Sequence, residues 1–191
     1  MDSLSDEQLV SLAQRGNTAA FNRLSSRWES SVYRYALKVL RNREDAKDVC
    51  QEALTKAYLN ITRLREGSKF KSWIHHIALN LCRDRFRSAG ASAEHRVFDD
   101  EGLDESRVAV LHAQKRSPEL DTKRSRLADL LDEVLAKLPD EQRSAILLRE
   151  YHGFTSEEIA EITGVPAATV RTRIFYGLRS VRRHLEARGY N

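Results

Sequence analysis

Proline and glycine are scarce in this chain, which has only 3 prolines and 8 glycines in 191 residues. Both residues destabilise the interior of a helix, so their scarcity favours a helix-rich protein. No stretch shows the period-two alternation of apolar and polar residues that is typical of a half-buried strand. We therefore expect an all-α fold.

Long hydrophobic runs are also missing, and no apolar stretch approaches the ~20 residues that a membrane span needs. The first residues, MDSLSDEQ, are acidic and polar, whereas a signal peptide is basic and then apolar. Cys50 and Cys82 both lie in helical apolar patterns, which in a reducing compartment indicates buried thiols rather than a disulfide. We expect a cytoplasmic protein without membrane insertion.

Motifs of catalysis are absent as well. The chain has no glycine-rich phosphate loop, no nucleophile elbow and no HExxH sequence, and its acids and histidines do not cluster. His75 and His76 are adjacent and precede Cys82, but successive residues of a helix point apart and make a poor zinc site. We expect no enzymatic activity, no cofactor and no metal.

The most informative pattern lies in residues 153–188, which are typical of a helix-turn-helix. Thr155 and Glu158 form a capping box, Gly164 ends the first helix, and Pro166 suits the first turn of the second. An apolar stripe then recurs at helical spacing, at Val170, Ile174, Leu178, Val181 and Leu185. The polar side of the second helix is basic and aromatic and carries Arg171, Thr172, Phe175, Tyr176 and Arg179. This arrangement suits the major groove of DNA, the alternative being the solvated face of a helical hairpin.

A clear helical pattern also begins at Asp45. Its predicted apolar face contains Ala46, Val49, Cys50, Ala53, Leu54, Ala57, Tyr58 and Ile61. The opposite face is polar and mostly acidic and contains Asp45, Asp48, Gln51, Glu52, Thr55 and Lys56. We expect this polar face to meet solvent or a partner.

Residues 62–69 form a break with glycine near its centre, after which a helical stripe restarts at Phe70 and Trp73. Basic residues alternate with that stripe, among them Lys69, Lys71 and Arg83. Rings beside cations suit single-stranded nucleic acid, because bases stack on the rings while the backbone follows the charge. The alternative is that the two aromatic residues belong to the core.

Between residues 88 and 125 the sequence becomes small, polar and acid-rich. Six acids lie within residues 94–105: Glu94, Asp99, Asp100, Glu101, Asp104 and Glu105. Such a composition is typical of a flexible linker. We therefore predict two small helical domains, 1–88 and 127–191, joined by an acidic linker over 89–126.

Three segments, 45–58, 70–87 and 138–175, together resemble bacterial RNA polymerase sigma factors of the extracytoplasmic-function group. They follow in the right order and span nearly the whole chain. The resemblance implies a non-enzymatic subunit that binds core RNA polymerase, directs it to promoters and promotes melting. It further implies that the first domain binds the minus-ten element, that the second binds the minus-thirty-five element, and that an anti-sigma factor is a partner.

Site residues follow from the same resemblance by position. Those that would dock on the clamp helices of the largest polymerase subunit are Asp45, Asp48, Gln51, Glu52 and Thr55. Those that would hold the melted minus-ten strand are Leu64, Gly67, Ser68, Lys69, Phe70, Lys71, Trp73, Asn80 and Arg83. Those that would read the minus-thirty-five duplex are Arg171, Thr172, Arg173, Phe175, Tyr176 and Arg179.

A second hypothesis is a free-standing transcriptional regulator that binds duplex DNA as a dimer and senses a ligand through residues 1–88. It predicts an apolar dimer seam or a ligand pocket. It does not explain the basic aromatic stretch at 69–87, which the sigma-factor hypothesis does explain. Binding of promoter duplex by the purified chain alone, without polymerase, would distinguish a regulator from a sigma factor.

Overall fold

The computed structural model describes residues 4–90 and 128–190, which are helices and their connections without any strand. The predicted all-α fold is confirmed. Apart from residues 89 and 90, which end a helix, the predicted linker lies outside the described residues. None of the helices described is both long and apolar enough to cross a membrane.

The N-terminal domain, residues 4–90, contains four α-helices and two short 3-10 turns. In chain order they are α1 (Asp6–Gln14), α2 (Thr18–Leu40), α3 (Arg43–Asn60), the turns Ile61–Arg63 and Gly67–Lys69, and α4 (Phe70–Gly90). Side chains cap the first three helices, because Ser5 forms a reciprocal capping box with Gln8, Asn17 accepts from the Ala20 amide and Asn42 from that of Asp45. These caps fix where each helix begins.

The C-terminal domain, residues 128–190, contains four helices. The described part of α5 covers 128–136, and α6 (Asp140–Ile146) continues into a π-helical turn (Leu147–Tyr151). The remaining helices are α7 (Ser156–Thr163) and α8 (Ala167–Glu186). Helix α8 packs against both α6 and α7, which orients it relative to the rest of the domain.

The two domains are closed on one another. Helix α4 packs against α7, and the buried apolar side chains of both domains form one continuous cluster. At the edge of this contact Lys38 pairs with Asp132 at 2.6 Å, and Lys69 pairs with Glu161 at 2.7 Å. The described residues therefore form one packed body, although each domain has its own capped helices.

Two predicted core positions prove to be exposed. Tyr58 is half-exposed, with its ring edge against Phe21, and Leu178 is 42% exposed. On α8 the buried stripe passes through Gly177 instead, because two helical turns from Val170 reach position 177. A Cβ on Gly177 would lie 2.6 Å from Ile146 Cδ1, so the absence of a side chain lets α8 approach α6.

Candidate nucleic-acid interface

The turn before α8 is built as the sequence predicts. Thr155 Oγ1 accepts from the Glu158 amide at 3.1 Å, and the Thr155 amide donates to Glu158 Oε2 at 2.7 Å. Gly164 ends α7 with φ +71°, a left-handed conformation that favours glycine. Since α7 contacts α8, these local signals position the second helix of the motif.

The outer face of α8 carries the predicted DNA-reading residues. Arg171, Thr172, Phe175, Tyr176 and Arg179 are exposed, and the Phe175 side chain is 62% exposed. The rings of Phe175 and Tyr176 meet edge to face with their centroids 5.4 Å apart. The face therefore offers cations, two hydroxyl groups and two aromatic rings to whatever docks on it.

Two residues beside this face differ from the prediction. Arg173 is only partly exposed, whereas Leu178, assigned to the core from the sequence, is exposed. Arg171 also has a partner within its own domain, since its Nη1 lies 3.1 Å from Glu157 Oε1. That ion pair is exposed on both sides, so it is weak and easily exchanged for another anion.

The loop before α4 is fixed rather than open. Gln14 Nε2 donates to the carbonyl oxygens of Ile61 and Leu64, at 3.0 and 2.7 Å, and the Leu64 side chain is buried. Gly67 lies so close to α1 that a Cβ there would come within 2.9 Å of Glu7 Cα. The expectation that Leu64 presents its side chain to a base is therefore corrected, because this side chain is covered by the N-terminal domain itself, whereas Gly67 is partly exposed.

Phe70 and Trp73 have different roles. Phe70 is fully buried and offers no ring face to a base, which corrects the stacking prediction and supports the core alternative for this residue. Trp73 is only half-buried, and its ring lies 6.0 Å from that of Phe70. Of the predicted minus-ten residues, Ser68 and Asn80 are exposed and Arg83 is partly exposed.

The cations at the start of α4 are engaged by the C-terminal domain. Glu161 of α7 pairs with Lys69 and raises the pKa of its ammonium group above the usual value. Lys71 Nζ lies 4.0 Å from the centroid of the Phe154 ring. In the closed arrangement both cations thus contact the other domain, which the sequence did not indicate.

The polar face of α3 is exposed but partly paired within the chain. Arg85 of α4 lies 3.4 Å from Asp45 and 3.7 Å from Asp48, and Glu52 pairs with Lys56 at 2.9 Å. The face is therefore not an unpaired acidic surface, and its role in binding a partner stays a prediction. Exposed positions along it are Asp48, Gln51, Thr55, Tyr58 and Leu59, the last 71% exposed.

The two cysteine thiols are buried and are weak acids. Burial raises the pKa of the Cys50 thiol to about 11 and that of Cys82 to about 12, so both are poor nucleophiles. No group of three or more histidine, cysteine or carboxylate side chains that could hold a metal ion occurs within 4–90 and 128–190.

Known families match both domains. Residues 24–92 match the model of sigma-70 region 2, and residues 128–181 match that of sigma-70 region 4. The chain is 33% identical to an ECF RNA polymerase sigma-E factor of Haemophilus influenzae, over 91% of this chain and 92% of that protein. It is 30% identical to the ECF RNA polymerase sigma factor SigW of Bacillus subtilis, over 92% and 94%.

Two solved structures share the fold. One is CnrH in complex with the cytosolic domain of CnrY, with a TM-score of 0.69 and 22% identity over 95% of this chain and 97% of that one. The other is the sigma factor RpoE in complex with the anti-sigma factor NepR from Bartonella quintana, with a TM-score of 0.68 and 21% identity over 87% and 96%. With its two sigma-70 regions in order and its close relatives in one group, the chain belongs to the extracytoplasmic-function sigma factors, which direct RNA polymerase to promoters.

Proposed function

We propose that this sigma factor divides promoter opening between its domains. Helix α8 binds the minus-thirty-five duplex, the start of α4 holds the melted minus-ten strand, and the polar face of α3 docks on the clamp helices of core RNA polymerase. The observation that carries the proposal is the exposed basic and aromatic face of α8, on the second helix of a capped helix-turn-helix. The polymerase supplies the catalysis, so no enzymatic activity is assigned to this chain.

Each group on α8 suits one kind of DNA contact. Arg171 is able to make a bidentate contact to a guanine edge, and Thr172 and Phe175 are suited to thymine methyl groups. Arg179 lies one turn beyond Phe175 on the exposed face and is assigned to the phosphate backbone, which gives affinity and register. To bind, Arg171 exchanges the Glu157 carboxylate for DNA, at a cost of about 0–1 kcal/mol for such an exposed pair.

The minus-ten surface is narrower than the sequence indicated. The accessible groups assigned to it are Ser68, Lys69, Lys71, Trp73, Asn80 and Arg83. Phe70 supports this surface from beneath, as a core residue at the first position of α4. A base stacked on the exposed part of Trp73 would contribute about 1–3 kcal/mol toward keeping the strands apart.

An anti-sigma factor and a cytoplasmic site of action complete the proposal. The two solved structures described above are both complexes, and one of them is named as an anti-sigma complex. A partner of that class would control this chain by holding its two domains. We place the protein in the cytoplasm, because that is where RNA polymerase meets the chromosome.

Run-off transcription with core RNA polymerase on a library of promoter variants tests the proposal. We expect specific initiation only when both proteins are present, and selection of one upstream and one downstream sequence element. A chain that binds duplex promoter tightly as a dimer by itself, and adds nothing to core polymerase, would instead establish the free-standing regulator.

A further inference from the structure

A group of three polar side chains, of which one is buried and two are partly buried, lies where the two domains meet. Ser31 of α2 lies between His75 of α4 and His152, which follows the π-helical turn of the C-terminal domain. Ser31 Oγ is 3.2 Å from His75 Nε2 and 3.0 Å from His152 Nδ1, and the two imidazole centroids are 5.2 Å apart. His75 is fully buried, and the Phe154 ring of the C-terminal domain covers it at 4.9 Å.

The partners fix the direction of these hydrogen bonds. His75 Nδ1 lies 2.8 Å from the Lys71 carbonyl oxygen, which only accepts, so Nδ1 carries the proton and Nε2 is the acceptor. The Ser31 hydroxyl then donates to His75 Nε2, and His152 Nδ1–H donates to Ser31 Oγ. His75 is neutral in this chain of bonds, which joins the domains through the Ser31 hydroxyl group, and burial keeps His152 neutral as well.

An added proton disrupts the arrangement. A proton on His75 Nε2 would face the Ser31 hydroxyl, which would have to turn away and find another acceptor. The charged groups that act on the two rings, Lys71 on α4 and Arg34 on α2, are cationic and repel a second positive charge. Among the residues of the two described domains, no carboxylate hydrogen-bonds to either imidazole, and the other titratable group beside both rings is the neutral Tyr35 phenol.

Burial is the main reason why the two imidazoles resist protonation in the closed state. It lowers the pKa of His75 to about 4 and that of His152 to about 3. Separating the domains would remove Phe154 and His152 from His75 and bring both rings toward the ordinary value of about 6.5. The separated state therefore binds protons more readily than the closed state.

The same interface leaves other polar groups poorly satisfied. The Tyr35 hydroxyl faces Ser144 without a well-formed hydrogen bond, and Arg143 Nε has no partner although its guanidinium is buried over the Phe86 ring. Buried polar groups without partners raise the free energy of the closed state, and water would satisfy them on opening. These two groups therefore lower the stability of the closed state relative to the open one.

We propose that Ser31, His75 and His152 form a proton-sensitive latch, which holds the two domains closed while both imidazoles are neutral and releases them when either is protonated. Closure engages the basic edge of α4, because Lys69, Lys71 and His76 all contact the C-terminal domain, although Lys69 itself stays exposed. The latch itself is a property of the fold. Only its consequence, that opening frees these side chains for the minus-ten strand, rests on the proposed function.

The sign and size of the pH effect follow from linkage. Because the pKa of each histidine is lowered in the closed state, closure is most stable above about pH 6.5 and weakens as the pH falls toward about 4. Between about pH 7.5 and about pH 5.5, each imidazole with an open-state pKa near 6.5 raises the ratio of open to closed chains about tenfold. The two imidazoles together raise the ratio of open to closed chains about 100-fold.

The native cysteines provide the measurement. Cys82 is fully buried on α4, where Arg143 of the C-terminal domain acts on its thiol, whereas Cys50 is buried in the N-terminal domain with Sγ against the Glu29 carbonyl oxygen. A disulfide reagent labels both, and mass spectrometry separates their peptides. The protection of each thiol is its labelling rate in the urea-unfolded chain divided by its rate in the native full-length chain at the same pH.

We expect the protection of Cys82 to fall about 100-fold from about pH 7.5 to about pH 5.5, while that of Cys50 changes little. Both pH values lie above the pH range in which ordinary carboxyl groups titrate. The double variant His75→Gln and His152→Asn, which keeps hydrogen-bonding groups but cannot titrate, should abolish the effect. His184→Gln is the matched control, because His184 bonds to Ser180 within its own helix and should leave the effect intact.

Three results would overturn the latch. They are equal protection of Cys82 at both pH values, a parallel loss at Cys50 that indicates global unfolding, and a full pH effect in the double variant. Where the buried substitution of His75 prevents folding, as circular dichroism would show, His152→Asn alone must reduce the effect to about tenfold. Since none of these measurements involves DNA or polymerase, the latch and the proposed function fail independently.

Discussion

Replacing Gly67 by alanine should destabilise the N-terminal domain, although its backbone conformation suits any residue. The cause is distance: the new Cβ would lie 2.9 Å from Glu7 Cα and 3.2 Å from the Glu7 carbonyl oxygen. Carbon atoms in favourable contact are about 3.5–4.0 Å apart. Both atoms of Glu7 belong to the backbone of α1, so a side-chain rotation cannot relieve the overlap.

The cost follows from what has to move. Helix α1 must withdraw from the turn Gly67–Lys69, and this stretches the two bonds from Gln14 Nε2 to the Ile61 and Leu64 carbonyl oxygens. Overpacking of this kind typically costs about 1–3 kcal/mol. A loss of about 2 kcal/mol lowers Tm by roughly 8–16 °C if the N-terminal domain melts alone, and by about half that if both domains melt together.

Thermal and urea unfolding, followed by circular dichroism, measure the effect. Ser68→Ala is the matched control, because Ser68 is the exposed neighbour in the same turn and should change stability by less than about 0.5 kcal/mol. Adding Glu7→Ala to Gly67→Ala should not restore stability, since the nearest atoms remain. If Gly67→Ala proves as stable as Ser68→Ala, the close contact does not limit this position.

Three further predictions concern function. Reversing the charge of Asp48 and Glu52 should weaken core polymerase binding without changing helix content, and unchanged affinity would remove α3 from the interface. Arg171→Ala should cost about 1–3 kcal/mol in binding the upstream element and relax specificity at one base, whereas Arg179→Ala, at the position assigned to the phosphate backbone, should weaken all sequences alike. Equal losses for the two variants across all sequences would refute base readout. Ser68→Pro should reduce transcription more from a duplex promoter than from one with a pre-melted minus-ten region, and full activity on the duplex would exclude this loop from melting.

Local signals in the sequence were sufficient for the helix-turn-helix. The capping box of Thr155 with Glu158 and the glycine that ends α7 involve residues a few positions apart, and both are present as predicted. The exposed face of α8 followed from helical periodicity alone. Such features depend on residues that are close in the sequence, so they are predictable from the sequence alone.

Packing decided what the sequence left open. Periodicity could not choose between Gly177 and Leu178 for the buried stripe, because the choice depends on how closely α6 approaches. The residues next to Phe70 in the sequence are the same whether its ring lies in a core or on a base-stacking surface. Only its burial in the structure distinguishes the two. The contact of His75 with His152 joins residues 77 positions apart and depends on how the two domains close, which no local pattern encodes.

The direction in which His152 points depends on the number of residues in the π-helical turn Leu147–Tyr151, rather than on the identity of any side chain. A π-helical turn accommodates one residue more than an α-helical turn, and each residue of an α-helix corresponds to a rotation of about 100°. Deleting one codon in this turn would restore a regular helix and rotate every later residue by about that angle relative to α6. Evolution is thus able to disconnect the two domains of such a protein by a change of one residue in length, while every amino acid at their interface is retained.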